Sequence, residues 1–162
     1  MSLDPAATVA ALGLAPHPEG GWYAESFRSP HRVVRADGVE RSALTFIWFL
    51  LDRGQRSAWH RVAGADETWH FVEGEPLELS VIEADGRAWR VILGARAAGH
   101  APSAIVPADA WQAARPIAGP ALVQCAVAPG FDFADFAMLR DLPAERDTLA
   151  AAHPGWITAS LD

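Results

Sequence analysis

The chain contains no lysine and only one cysteine, Cys125, in 162 residues. A single cysteine cannot form an intrachain disulfide, which is typical of proteins in a reducing compartment, so the sequence predicts a cytoplasmic protein. All 13 basic residues are arginine, and the net charge is −7. Because binding of nucleic acid depends mostly on neutralising phosphates, an acidic chain without a basic cluster predicts no nucleic-acid partner.

Long hydrophobic runs are also missing. The longest, at residues 43–51, has the length of a β-strand and is far too short to cross a bilayer. The N-terminal segment has no basic region before its mildly apolar stretch, so it does not resemble a signal peptide. We therefore expect no membrane partner. A hydrophobic fraction of 51% in a chain of this length predicts a single domain over residues 1–162.

Short strands dominate the predicted secondary structure. Asp4 and a run ending at Gly13 are typical of a capped helix, and residues 143–152 predict a second helix. The Asp85-Gly86 pair between two alternating segments predicts a hairpin, since this turn requires positive φ. Strands are predicted at 22–27, 31–35, 42–51, 77–82, 88–93, 103–107, 111–115 and 121–127. Many short strands with helices only at the ends predict an all-β sandwich or barrel.

The most informative stretch lies between Gly54 and Gly74, which enclose His60 and Glu67. Its spacing resembles the first sequence motif of cupins, in which a glycine, a His-x-His pair, a glutamate and a second glycine follow at fixed intervals. Val62 stands where a metal-binding cupin has its second histidine. The resemblance therefore carries the signature of the scaffold, while the metal-binding part of that signature is incomplete.

A second cupin motif, Pro-x-Gly followed by a histidine, is matched in register by Pro107, with Asp109 at the usual glycine and Gln112 at the usual histidine. The segments HPEGG at 17–21, DETWHF at 66–71 and PGFDF at 129–133 resemble one cupin subfamily known as a domain of unknown function. The resemblance implies an all-β double-stranded β-helix, a jelly-roll barrel with short N- and C-terminal helices. It also implies a homodimer and a pocket inside each barrel.

The candidate catalytic residues are His60 and Glu67. Residues two apart on a strand share a face, so His60 points the same way as Val62, and the cupin pattern directs both inward. An imidazole titrates near neutrality, and we expect Glu67 to fix its tautomer. The alternative is a hydrogen bond that only satisfies two buried polar groups.

Other residues are candidates for contacts with a substrate. An aromatic wall suits the apolar face of a sugar ring, and a glutamine could donate a hydrogen bond. Tyr23, the only tyrosine, could be an acid, as in deoxysugar epimerases, or a half-buried strand residue. Glu19, beside Gly20 and Gly21, could belong to a lid loop or to an exposed connector between the first helix and the first strand. The candidate binding residues are Gln112, Trp59, Trp69, Trp111, His70, Tyr23 and Glu19.

A cupin metal site needs roughly three converging nitrogen and oxygen ligands. The chain offers His60, Glu67 and Gln112, of which the glutamine is a weak ligand, and Val62 cannot bind a metal. We therefore expect no cofactor, or at most a weakly held divalent metal on these three side chains.

Three functions stay open. The first is an enzyme that acts by proton transfer on a small polar or sugar-like molecule, as an epimerase or isomerase does. The second is a metal-dependent cupin oxygenase or isomerase. The third is a protein that binds a small molecule in the same pocket without catalysis. Cys125 and the phenylalanines at 131, 133 and 136 are interpreted as packing residues.

Overall fold

The structure is a computed structural model that describes residues 3–157. Within these residues two α-helices flank the strands, α1 (Pro5–Leu12) and α2 (Pro143–Ala152). The strands are β1 (Ala15–Pro16), β2 (Trp22–Arg28), β3 (Arg32–Val34), β4 (Glu40–Ser42), β5 (Thr45–Leu51), β6 (Ser57–Val62), β7 (Asp66–Gly74), β8 (Leu77–Ile82), β9 (Ala88–Leu93), β10 (Ser103–Val106), β11 (Trp111–Pro116), β12 (Ala121–Ala128) and β13 (Phe136–Met138). No helix in the described range is long and apolar enough to cross a membrane.

The strands form two large sheets and a separate ribbon. One sheet has six strands in the order β1-β2-β5-β12-β7-β10, and the other has five in the order β13-β6-β11-β8-β9. Strands β3 and β4 form the ribbon, and neighbouring strands pair antiparallel throughout. The prediction of an all-β barrel with a short helix at each end is confirmed.

The apolar core lies between the two sheets and fills one end of the barrel. It consists of alternate residues from facing strands, which point inward because successive side chains on a strand point to opposite faces. The main members are Phe49, Leu51, Trp69 and Val123 from the six-stranded sheet and Leu79, Val81 and Leu93 from the five-stranded sheet. All are almost fully buried.

The two helices cover the outer faces of the sheets. Helix α1 is capped by Asp4, whose side chain accepts from two backbone N–H groups, and it ends at Gly13 in the left-handed conformation. It packs beside Leu50 and Leu122 on the outside of the six-stranded sheet. On the other side, α2 contributes Leu149 to the cluster on the outside of the five-stranded sheet.

The segment 42–51, predicted as one strand, contains a break at Ala43 and Leu44. Ser42 ends β4 in the ribbon, whereas β5 begins at Thr45 in the six-stranded sheet. The apolar run continues across the break, so its composition gives no sign of the change of direction.

Asp109 keeps the backbone of the second motif in the conformation for which a glycine is usual at this position. Its φ is 66°, in the left-handed region that glycine adopts freely and aspartate adopts more easily than most residues. The side chain of Asp109 accepts a hydrogen bond from the Gly64 N–H at 3.1 Å. The loop before β11 therefore keeps its shape and delivers Gln112 in register.

Candidate active site

The end of the barrel opposite the packed core encloses a cavity of about 470 Å³. Strands β2, β5, β6, β7 and β12 and the segment before β13 form its walls. Its polar lining includes His17, Glu19, His60 and Glu67, and a cavity of this size accommodates a small organic molecule.

Glu19 reaches the cavity from the tight HPEGG turn. Gly20 has φ +109°, and a Cβ atom on it would lie 2.2 Å from the carbonyl oxygen of Arg56, so the turn requires glycine here. The Ala58 N–H donates to the Glu19 carbonyl at 2.8 Å, which fixes the turn to β6. The side chain of Glu19 is thereby buried at the bottom of the cavity, with 7% exposure.

The Glu19 carboxyl group contacts three polar side chains. Its Oε1 accepts a hydrogen bond from Ser57 Oγ at 2.8 Å. Its Oε2 lies 3.3 Å from His60 Nε2 and 3.4 Å from His17 Nδ1. Burial raises the pKa of Glu19 to about 8, although the hydrogen bond from Ser57 acts in the opposite direction. The carboxyl group therefore keeps its proton at neutral pH.

His60 has a defined tautomer. Its Nδ1 lies 2.8 Å from the Ala58 carbonyl oxygen, and a carbonyl only accepts, so Nδ1 carries the proton. Burial lowers the pKa of His60, against the opposing charge of Glu67. In the neutral ring Nε2 is then an acceptor, and it faces the protonated carboxyl group of Glu19. The two groups share one proton.

His17 is a second neutral imidazole in the same cluster. Burial, together with the charge of His60, lowers the pKa of His17 to about 3. Its Nδ1 accepts a hydrogen bond from the Glu19 N–H at 3.3 Å, and its ring lies edge-on to Tyr23 with centroids 4.5 Å apart. His17 thus supports the turn that delivers Glu19.

Glu67 is held by a separate chain of hydrogen bonds. Its Oε2 accepts from Gln112 Nε2 at 2.6 Å, and Gln112 Oε1 accepts from the indole N–H of Trp69 at 2.8 Å. Because an indole N–H only donates, this contact fixes the orientation of the amide. Burial raises the pKa of Glu67 to about 7, while His60 and the hydrogen bonds from Gln112 and Cys125 act to lower it. The carboxyl group is thus poised to exchange a proton near neutrality.

The carboxyl group adjacent to His60 is that of Glu19, where the sequence analysis expected Glu67. Glu67 acts on His60 through its charge, and its hydrogen bonds go to Gln112 and Cys125. The sequence signal for Glu19 is its position before two consecutive glycines, because such a pair permits the close backbone approach that buries the side chain.

The tryptophans expected as a pocket wall lie elsewhere. Trp59 and Trp111 pack on the outer face of the five-stranded sheet, and Trp111 Nε1 donates to Glu145 of α2 at 3.1 Å. Each directly precedes an inward residue, so alternation turns it outward. Trp69 points inward but lies in the packed core, where it orients Gln112.

The remaining candidates divide between cavity and surface. Tyr23 lines the cavity. His70 is exposed, and its Nε2 lies 3.0 Å from Thr68 Oγ1. Gln112 donates a hydrogen bond to Glu67, and its side-chain oxygen accepts one from Trp69. It therefore positions the carboxyl group of Glu67.

The aromatic wall of the cavity consists largely of phenylalanines that the sequence analysis interpreted as packing. Phe131, Phe133 and Phe136 contact one another edge-on, with centroids 5.0–5.9 Å apart. Phe49 and Tyr23 complete the aromatic lining. Phe131 lies in a loop, Phe133 begins a 3₁₀ turn and Phe136 begins β13, so period-two alternation along one strand does not identify their common direction.

The donor set does not fit the three-ligand metal site of a cupin. The amide oxygen of Gln112 accepts from Trp69 and its amino group donates to Glu67, so both polar atoms of this weak ligand already have protein partners. Val62 lines the cavity at the position of the missing histidine. In residues 3–157, no three His, Cys, Asp or Glu side chains are arranged to hold a metal ion.

Comparison with known proteins places the chain in a family. Residues 6–139 match the family model described as Cupin superfamily (DUF985). A hypothetical protein from Leishmania major is 35% identical, with a TM-score of 0.76 over 87% of this chain and 93% of that chain. A protein from Shewanella oneidensis, known from an X-ray crystal structure, is 32% identical, with a TM-score of 0.78 over 95% of this chain and 92% of that chain.

More distant structures share the fold alone. Oxalate decarboxylase from Bacillus subtilis is 15% identical, with a TM-score of 0.58 over 84% of this chain and 33% of that chain. No curated protein matches this chain. Together with the barrel and the two strongly similar structures, the family match over residues 6–139 shows that the chain belongs to the Cupin superfamily (DUF985) family.

Proposed function

We propose that the chain is an enzyme that transfers a proton on a small polar molecule held in the cavity, as isomerases and epimerases do. The observation that carries this proposal is that two buried carboxyl groups, those of Glu19 and Glu67, face one cavity together with His60, and burial raises the pKa of both carboxyl groups toward neutrality. Ionisable groups that lie together in one cavity, with their pKa values shifted toward neutrality by burial, are the usual candidates for an acid and a base.

Glu67 is the base in this proposal. With a pKa of about 7, a substantial share of its carboxyl groups is ionised at neutral pH, and the conjugate acid forms readily. The hydrogen bond from Gln112, itself held by Trp69, fixes the position of the carboxylate in the wall of the cavity.

The pair of Glu19 and His60 is the acid. Glu19 lines the cavity and holds the proton, and His60 Nε2, 3.3 Å from Glu19 Oε2, orients the protonated carboxyl group. Glu67 takes a proton from one atom of the substrate and the pair returns one to another atom. The substrate is then isomerised without gain or loss of electrons.

Solvent hydrogen exchange tests the proposal across whole classes of candidate substrate at once. The protein is incubated in heavy water with small aldoses, ketoses, hydroxy acids and amino sugars, and deuterium in carbon-bound positions is measured by mass spectrometry. We expect incorporation into at least one compound, with a rate lower by roughly 10²–10⁴-fold in Glu67→Gln. Glu73→Gln is the matched control, because Glu73 lies on the same strand and is exposed.

Two outcomes contradict the proposal. Equal exchange in wild type and Glu67→Gln would remove Glu67 from the reaction. Saturable binding without exchange of any compound would favour the alternative, a cupin that binds a small molecule without catalysis.

We propose further that this chemistry runs without a tightly held metal. The support is the donor set, in which Val62 replaces a ligand and Gln112 is engaged with its neighbours. The measurement is metal content after a chelator wash. One transition metal per chain surviving that wash would overturn this part of the proposal.

We also propose that the protein forms a homodimer. Strand β10 is an edge of the six-stranded sheet, and Ile105 on it is 64% exposed, so this edge is suited to contact with a second copy. Light scattering should give the mass of a dimer, and Ile105→Lys should shift it toward the monomer. A monomer mass for the wild type at micromolar concentration would contradict the proposal.

A further inference from the structure

The charged side chains that line the cavity are mostly acidic. Glu25 and Asp132 belong to the lining together with Glu19 and Glu67. Of the cavity-lining residues in the described part of the chain, Arg28 is the only one with a permanent positive charge. The field inside the cavity is therefore negative on balance once Glu67 is ionised, and it opposes the entry of an anion.

Arg28 is already engaged by oxygen atoms of the protein. Its Nε and Nη2 donate to the two oxygens of Glu25 at 2.9 Å and 2.7 Å, and Nη2 also donates to the Phe131 carbonyl at 3.1 Å. To bind this guanidinium, an anion would have to displace the carboxylate of Glu25, which already accepts two hydrogen bonds from it. Among the lining residues that the structure describes, this engaged guanidinium is thus the only permanent cation near a phosphate or carboxylate of a substrate.

The aromatic lining favours the opposite charge. The faces of aromatic rings carry negative potential and attract cations, most strongly where water is excluded. Tyr23, Phe49, Phe131, Phe133 and Phe136 all line the cavity. His60, neutral and stacked at a tilt near Phe136 with centroids 5.5 Å apart, adds no positive charge to this wall.

We propose that the cavity selects a small organic cation, whose ammonium group lies between Glu67 and the phenylalanine rings. This inference narrows the substrate class of the proposed function to molecules that bear an amino or ammonium group, and it rests on the cavity being the site of that function. Ring faces and a carboxylate together are the chemistry that recognises alkylammonium groups in proteins.

Three probes of nearly identical shape separate charge from size. Choline carries a trimethylammonium group, neohexyl alcohol has carbon in place of its nitrogen, and the anion of tert-butylacetic acid presents the same branched end with a negative charge. Their dissociation constants are measured by NMR titration slightly above neutral pH. We expect choline to bind roughly tenfold more tightly than the alcohol, and the anion to show no saturable binding.

Variants assign the preference to particular side chains. Glu67→Gln should reduce the advantage of choline over the alcohol to roughly threefold or less, while leaving the affinity for the alcohol nearly unchanged. Phe136→Leu keeps the wall apolar and should weaken choline more than the alcohol. Glu73→Gln, on the exposed part of β7, should change none of the three affinities.

Glu25→Gln provides an independent measurement at the half-exposed mouth, where a substitution leaves the core intact. It removes the carboxylate that engages Arg28, so it should weaken choline and allow the anion to bind. Equal affinity for choline and the alcohol, binding of the anion to the wild type, or no saturable binding of choline at about 50 mM would each overturn the inference. If the wild type exchanges deuterium into an uncharged compound and Glu67→Gln does not, the proposed function holds even though the preference for cations fails. The failure of this inference can therefore be told apart from the failure of the proposed function.

Discussion

The two ends of the barrel are built from the same strands and differ in what those strands contribute. At the packed end, β5, β7 and β12 supply Leu51, Phe71 and Val123 to the apolar core. At the cavity end, β7 supplies Glu67 and β12 supplies Cys125. The residues of the packed end stabilise the fold, whereas those of the cavity end are available to bind a ligand. We therefore expect substitutions at the packed end to lower stability and substitutions at the cavity end to lower binding or exchange.

The largest effect on stability is expected at the packed end. Leu79 is fully buried between the sheets, so Leu79→Ala removes apolar contacts and leaves a void. We expect the free energy of unfolding to fall by about 2–5 kcal/mol, measured by chemical denaturation. The dissociation constant for choline should stay close to that of the wild type at a temperature where the variant is folded. A loss of binding in the folded variant would mean that the two ends are coupled.

The second effect concerns the turn at residues 17–21, which carries Glu19 into the cavity. Gly20→Ala forces a side chain against the carbonyl of Arg56, and Gly38→Ala is the matched control because Gly38 also has positive φ but no atom near its Cβ position. Both variants carry the strain of a left-handed alanine, about 1 kcal/mol. Gly20→Ala should lose clearly more stability than Gly38→Ala, and it should also lower ligand affinity by displacing Glu19. Equal losses would mean that the turn yields without moving the site.

The packed end was largely predictable from sequence, whereas the cavity end was predictable only in part. Most strands, the Asp85-Gly86 hairpin and both helices depend on local patterns, and the structure confirms them, except that the strand predicted over 42–51 is broken at Ala43 and Leu44. The contact of Glu19 with His60 joins residues far apart in sequence, and no local period encodes it. The prediction that Trp59 lines the pocket was wrong, although alternation already indicates the outward direction of a residue that precedes the inward His60.

A third effect is the dependence of stability on pH, which originates at the cavity end. The pKa values of Glu19 and Glu67 are raised in the folded state, to about 8 and about 7, so the folded protein binds more protons than the unfolded chain above their ordinary values. Their contribution to stability is therefore lost as the pH rises toward 8. His17 and His60, whose pKa values are lowered, act in the opposite sense, and their contribution is complete by about pH 6.5.

The melting temperature should therefore fall between about pH 6.5 and pH 8. Glu67→Gln removes one of the two carboxyl groups, and the fall should become shallower; the exposed Glu73→Gln should keep the slope of the wild type. Scanning calorimetry over this range is the measurement. An unchanged slope in Glu67→Gln would mean that the carboxyl group of Glu67 titrates at an ordinary pH.

The smallest effect on stability is expected for His60, although its effect on function should be among the largest. One side of the ring faces the cavity, so His60→Ala enlarges an existing space and removes few packing contacts. We expect the free energy of unfolding to change by about 1 kcal/mol, while deuterium exchange is lost, because His60 no longer orients the protonated carboxyl group of Glu19. His31→Ala, at an exposed loop position, should change neither quantity. If His60→Ala instead lost several kcal/mol and kept its exchange activity, the contact between His60 and Glu19 would be structural, and the acid would have to be sought elsewhere in the cavity.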